Sequence, residues 1–369
     1  MLRNSLRPLT QPARHEFPTR SSLLAPRSSA FTLVELLVVI TIIAILASLL
    51  VVAATAAMNR ARFARIKLEV DSIHQGMEQY KNDVSGGDYP PNAITGTEMA
   101  SLSSPASATP VAVTNDLIRH FKKVAPRHRE PVGLIKRLAG VQPHPTNDPD
   151  VIGNPPMLAG GMTPSEALVF WLYGFSSDPK APITGSGGPA FFNSQSPSNP
   201  DPNGGIEGRT PVFPFEVTRL GPRDDDGNFN GRSMQFQLTS NGPTYRINFW
   251  QYYPPGSTEP LVYFDTSRPL MDVEPLAGPH FHALKQASSG TTAGSSEIRY
   301  ANEGKFQILH CGLDDAWGSE DVIDQMSIID KTPGQLRTQM LLFPNGPFTL
   351  DLADTVTNFT DSTLEDAQP

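Results

Sequence analysis

Closely spaced acids are the feature of this chain most able to do chemistry. Asp224-Asp225-Asp226-Gly227-Asn228-Phe229-Asn230-Gly231 alternates side-chain oxygens around a glycine turn, the pattern a calcium ion takes, because hard cations need six to eight oxygens from a flexible loop. Asp224, Asp226 and Asn228 are its candidate ligands. The run departs from an EF-hand, with Phe229 at the sixth place rather than Gly and Gln235 at the twelfth rather than Glu. The plainer reading is a solvated Asn/Asp/Gly turn. A second acidic run, Asp314-Asp315 with Asp321 and Asp324 beyond, follows the apolar stretch Phe306–Leu309. Pro279-His280-Phe281-His282 offers two imidazoles at strand spacing, a poor transition-metal site without a nearby Cys or acid. Cys311 is the sole cysteine, so no intrachain disulfide forms, and it reads as a small buried apolar side chain. Glu35 stands alone at the head of an uncharged run from Leu36 to Asn59.

The bulk numbers narrow the function classes. The 36 Pro and 29 Gly make up about 18% of 369 residues, above an ordinary share of about 12%, so long loops should separate short elements. A net charge of -8 gives no support for nucleic acid as the main partner, which needs a concentrated basic face. One local exception runs from Arg119 to Arg137 through Lys122, Lys123, Arg127, Arg129 and Lys136. It could meet an anion or a lipid headgroup, and its plainer reading is a solvated helix face. The sequence holds no phosphate loop, zinc-ligand cluster or Gly-x-Ser-x-Gly elbow, so no enzymatic activity is expected.

The elements that position Glu35 are legible from charge and periodicity. Arg3, Arg7, Arg14, Arg20 and Arg27 face a single acid, Glu16, in residues 1–30, which keeps that end cytoplasmic and sends the rest across the membrane. Leu36 to Ala57 is apolar throughout and as a helix spans about 33 Å, enough for a bilayer core of about 30 Å. A secretory signal would be shorter and end at a small-residue cleavage site. From Phe63 the apolar residues Ile66, Val70, Ile73, Met77 and Tyr80 step by three and four, one stripe on a continuing helix. The reading is one helix over 31–83, transmembrane at about 36–57 and amphipathic over 58–83, stopped by Gly86, Gly87, Pro90 and Pro91. Thr32 and Glu35 have the spacing of a capping box, which satisfies free amides at the helix start.

Ser29-Ala30-Phe31-Thr32-Leu33-Val34-Glu35-Leu36-Leu37 resembles the processing motif of type IV prepilins and pseudopilins. The resemblance implies that residues 1–30 are a leader, that prepilin peptidase cuts between Ala30 and Phe31, and that the new Phe31 amine is methylated. Ala30 stands where the family usually has Gly. Glu35 is then the acid that pairs with the Phe31 amine of a neighbouring subunit during assembly. Glu78-Gln79-Tyr80-Lys81 with Asp88-Tyr89-Pro90-Pro91-Asn92 resembles the helix exit of major type II secretion pseudopilins. Phe306–Gly318 resembles their final strand and calcium loop, with Asp315 replacing a Gly, and carries over Asp314 and Asp321 as ligands.

Beyond the helix the chain reads as an exported α+β domain over 84–350. Loops are expected at about 93–113 and 176–210, where Ser, Pro, Gly, Ala and Asn dominate. Short helices fall at 115–123 and 131–139, and Thr163-Pro164-Ser165-Glu166 starts a capped helix whose Phe170 and Trp171 belong to the core. Strand-like runs are Met234–Leu238, Tyr245–Tyr253, Leu261–Phe264, Lys305–Leu309 and Gln339–Phe343. The acidic tail 351–369, with five acids and no base, is expected to be mobile or to pack as a strand near Phe348–Leu350. The resulting architecture is a long helix on an antiparallel sheet with large loop insertions. The function it implies is a structural subunit of a periplasmic pseudopilus, single-pass in the inner membrane. Its partners would be prepilin peptidase, other pseudopilin subunits, the secretion platform and membrane lipid. A minor type IV pilus subunit for adhesion or motility, and a binding module or enzyme on a pilin anchor, are the alternatives.

Overall fold

The computed structural model describes residues 32–92, 108–140, 158, 161–190, 209–238, 244–267, 282–287, 298–318, 341–348 and 350–369. The chain divides into two compact units, one ending at Ala56 and one comprising Ala57–Pro369. Helix α1 runs over Leu33–Gln79 and closes in a π turn, Tyr80–Val84. In the first unit it exposes its large apolar side chains, Leu33 to Val52 all being at least 43% accessible. Among the described residues, Leu33–Val84 is the one helix long and apolar enough to cross a membrane. In the second unit the expected stripe goes fully inside: Ile66, Val70, Ile73, Met77 and Tyr80 are each 0% exposed.

Among the described residues three shorter α-helices follow, α2 at Ala108–Val124, α3 at Val132–Leu138 and α4 at Pro164–Leu172. The strands are β1 Phe175–Ser176, β2 Arg209–Thr210, β3 Leu220–Gly221, β4 Ser233–Gln237, β5 Thr244–Asn248, β6 Gln251–Tyr252, β7 Val262–Asp265, β8 Lys285–Ala287, β9 Ile298–Tyr300, β10 Phe306–His310 and β11 Val356–Thr357. The class is α+β, as expected, but the antiparallel strands form small sheets rather than one. They pair as β1–β2, β3–β6, β4–β5, β8–β9 and a three-stranded β11–β10–β7.

That three-stranded sheet organises the core. Opposed residues share a face, and successive residues alternate between faces. Tyr263 opposes Ile308, and Val262 opposes Leu309. Tyr263, Phe306, Ile308 and Val356 join the α1 stripe in one apolar cluster, whereas Val262, Phe264, Leu309 and Cys311 join a second with Leu341, Phe348 and Leu364. With both faces covered, β10 is buried at every position. The helix exit is tied to the same sheet. Tyr89 donates to Glu78 Oε1 at 2.8 Å, and the Lys81 ammonium sits 4.2 Å from the Tyr89 ring centroid. Asn92 Nδ2 donates to the Tyr263 carbonyl and Asn92 Oδ1 accepts from Asp265 N, which anchors the chain to β7.

Several expected boundaries move. The loop at 93–113 ends in helix, because α2 starts at Ala108 and tolerates Pro110 in its first turn. Within the expected 176–210 loop, residues 177–180 are exposed but the chain turns inward beyond them. Ile183 and Ala190 are 0% exposed, and the buried Glu130 carboxylate accepts from the Ile183 and Thr184 amides, both at 2.9 Å. The Tyr245–Tyr253 run divides into β5 and β6 around Phe249 and Trp250, which are both buried. Residues 341–343 form no strand, only single bridges from Leu342 to Lys285 and Gly346. The tail is packed rather than mobile, and its strand lies at Val356–Thr357, not near Phe348–Leu350. Lys67 on α1 donates to the Thr357 and Thr360 carbonyls at 3.0 and 2.9 Å.

Candidate functional site

At the start of α1 the expected capping box is formed. Thr32 N and Oγ1 both donate to Glu35 Oε2 at 2.9 Å, and Glu35 N donates to Thr32 Oγ1 at 3.2 Å. The carboxylate is thereby fixed at the positive end of the helix dipole, in a segment exposed on every side. Ala30 and Phe31, where cleavage is expected, lie outside the described residues.

The second constellation is the loop that leaves β10. The strand ends at His310, and Gly312 turns the chain at a φ of 108°. A Cβ at Gly312 would sit 2.2 Å from Asp354 Cγ, so close approach and backbone conformation both demand glycine. Asp315, which replaces the glycine of the resemblance, still adopts the left-handed conformation, at a φ of 56°. Its side chain holds the loop there. Arg62 Nη2 on α1 donates to Asp315 Oδ2 at 2.9 Å while Nη1 donates to the Leu313 carbonyl at 2.8 Å. Ser257 Oγ and Thr258 N donate to the same carboxylate. These bonds and Arg62 lower the Asp315 pKa against the opposing effect of burial, the largest single influence.

Asp314 Oδ1 accepts from Ala316 N at 3.0 Å. Burial raises the Asp354 carboxyl and Asp314 raises it further, while Asp354 Oδ1 is shielded from solvent with no hydrogen bond. Two carboxylates in this relation suit calcium as oxygen donors. Asp321 and Asp324 lie outside the described residues.

His310, Cys311 and Asp315 come together in the same loop. A ring nitrogen, the thiol sulfur and a carboxylate oxygen all lie within 4.8 Å of one another. His310 and Cys311 are 0% exposed. Burial pushes the His310 imidazole down to about 4. Burial, then Glu259, Asp315, Asp314 and Asp354, raise the Cys311 thiol well above its ordinary value. The sequence reading took Cys311 alone, as an apolar filler. The overlooked signal was the adjacent pair His310-Cys311 with Asp315 four residues on, hidden because a continued strand would send adjacent side chains to opposite faces.

The other candidates are dispersed. In the Asp224 loop, Asp224 Oδ1 accepts from Asp226 N at 3.1 Å and Asn228 N at 2.7 Å, and Asn228 Nδ2 donates to Asp224 Oδ2 at 3.4 Å. Both Asp224 carboxylate oxygens and the Asn228 amide nitrogen are therefore engaged within the turn. His282 is buried, while Pro279, His280 and Phe281 lie outside the described residues. Of the basic run, Arg119 pairs with Asp116 and Lys123 with Asp88, whereas Lys122, Arg127 and Arg129 are exposed to solvent. Phe170 and Trp171 belong to the core, where Trp171 packs edge-on against His120 and Phe175.

Residues 26–51 match the family described as the prokaryotic N-terminal methylation motif. No curated protein and no solved structure matches the chain. The motif together with the exposed apolar helix supports a type IV pilin-like protein, anchored in a membrane through α1. The motif implies processing by prepilin peptidase and assembly with other pilin-like subunits, and it suggests a structural role.

Proposed function

We propose that this chain is a structural subunit of a periplasmic pseudopilus in type II protein secretion. The observation that carries the reading is the first half of α1, apolar and exposed on every side, with its single acid held in the cap within the methylation motif. Such a surface needs lipid or the helices of other subunits around it. Within a packed filament the Glu35 carboxylate finds its partner in the Phe31 amine of a neighbour. The pseudopilus, rather than a motile pilus, is favoured by the Glu78–Tyr89–Asn92 clamp on β7 and by the loop after β10, the two places where the exported part resembles major pseudopilins. Calcium at Asp314 and Asp321 belongs to this reading, with Asp224, Asp226 and Asn228 as a weaker second place. Titration calorimetry of the protein with calcium tests it: heat and thermal stabilisation support the ion, and their absence removes both loops.

Deleting the gene and measuring proteins released into the medium, alongside surface motility, tests the assignment itself. Loss of release with motility intact, restored by the wild-type gene, is expected. Loss of motility or adhesion with release unchanged would move the subunit to a type IV pilus, and no change in either would favour a pilin-anchored module.

A further inference from the structure

We propose that His310, Cys311 and Asp315 bind one divalent transition-metal ion of the zinc type. The inference rests on the exported unit alone and holds whichever filament the chain enters.

Their donors lie within 4.8 Å of one another. Tetrahedral zinc with bonds of about 2.0–2.3 Å holds its ligands about 3.5 Å apart, so side-chain rotations close the remaining gap. Nitrogen, sulfur and oxygen from one loop are a borderline-soft set, suited to zinc and unsuited to calcium, which takes oxygen alone. The Cys311 thiol is free and fully buried, with its sulfur facing this cluster as well as the apolar core.

The surroundings call for positive charge. Glu259, Asp314, Asp315 and Asp354 all act on Cys311, while Arg62 is bonded to Asp315 and Trp317 Nε1 to Glu259 Oε2. Four carboxylates against one guanidinium leave the site negative. A dication balances that field and, by its own charge, stabilises the thiolate, so that binding releases the Cys311 proton to solvent.

The supporting contacts are also in place. His310 Nδ1 accepts from Gly312 N at 3.0 Å, and Nε2 lies 2.8 Å from Ser257 Oγ and 3.2 Å from the Glu259 carbonyl. Because Nδ1 accepts from an amide, the neutral ring carries its proton on Nε2; a metal would take Nδ1 in place of the Gly312 amide and leave Nε2–H oriented by the Glu259 carbonyl, the usual arrangement for ligating histidine. Asp315 is held by Arg62, Ser257 and Thr258. Ser257 Oγ is bonded to both His310 and Asp315.

Because His310 and Cys311 are fully buried, the ion enters as the loop folds. The test therefore uses the full chain purified in detergent from cells grown with zinc, and a second preparation from cells grown with cobalt. Mass-spectrometric metal analysis should give about one zinc per chain, with the load falling at least about tenfold in Cys311→Ala and His310→Gln. The cobalt form should show a thiolate-to-cobalt charge-transfer band that Cys311→Ser loses. This spectrum needs no variant to fold in order to report on the wild-type site. A wild-type chain without zinc and without the cobalt band, or Cys311→Ala retaining the full load, would overturn the site and return Cys311 to a packing role.

Discussion

Glu166 shows how one residue can serve the fold at an electrostatic cost. Its Oε2 closes the α4 capping box with Thr163 N at 2.8 Å and accepts from Arg232 Nη1 at 3.1 Å, while the side chain is 1% exposed. Burial raises its pKa, with Arg232 and Thr163 opposing. The folded chain therefore takes up this proton at a higher pH than the unfolded chain. Stability gained from Glu166 rises as the pH falls through the raised value and levels off below the ordinary glutamate value. Glu166→Gln should lack that increment, so the stability of wild type over variant should grow between neutral and mildly acidic pH in denaturant titrations. Equal slopes would mean the carboxyl is not perturbed. Gly76 is a second residue at odds with its element, a glycine inside a helix. An added Cβ would meet Phe213 Cδ2 at 2.9 Å, so Gly76→Ala should trade a helix gain of about 1 kcal/mol for crowding of about 1–3 kcal/mol and lose about 1 kcal/mol net. A stabilised variant in thermal melts would show that the ring moves aside freely.

Elements were legible where one periodicity governs a long stretch. The α1 stripe, the α4 cap and β10 follow from spacing alone, since each element buries the side its residues dictate. The misplaced elements are those set by distant partners. The stretch around Ile183 folds inward because Glu130 collects the Ile183 and Thr184 amides, and the acidic tail packs because Lys67 caps two of its carbonyls and Val356 and Leu364 are fully buried. Neither contact leaves a local signature. Of the candidate sites, the Thr32–Glu35 cap was readable from sequence, and Asp315 was noted only as a missing glycine. Its bonds to Arg62 and Ser257 cross more than two hundred and about sixty residues respectively, beyond any local pattern. Lys67→Met tests the tail: stranding the Thr357 and Thr360 carbonyls should cost about 1–3 kcal/mol and expose the C-terminus to limited proteolysis. Unchanged protease resistance would assign the docking of the tail to its apolar contacts alone.

At the scale of the whole molecule, two solvents are implied by one chain. The first unit exposes leucine, isoleucine and valine along its length, while the second buries a double-faced core. On the proposed reading such a subunit is membrane-held before assembly and helix-packed after it, with processing at the junction of leader and helix deciding which. Mass spectrometry of the N-terminal peptide, from membranes of cells with and without prepilin peptidase, tests that claim most directly. The account predicts a peptide beginning at N-methylated Phe31 only when the peptidase is present. An uncut leader in both strains would contradict it, leaving α1 a plain anchor and Glu35 no more than a helix cap.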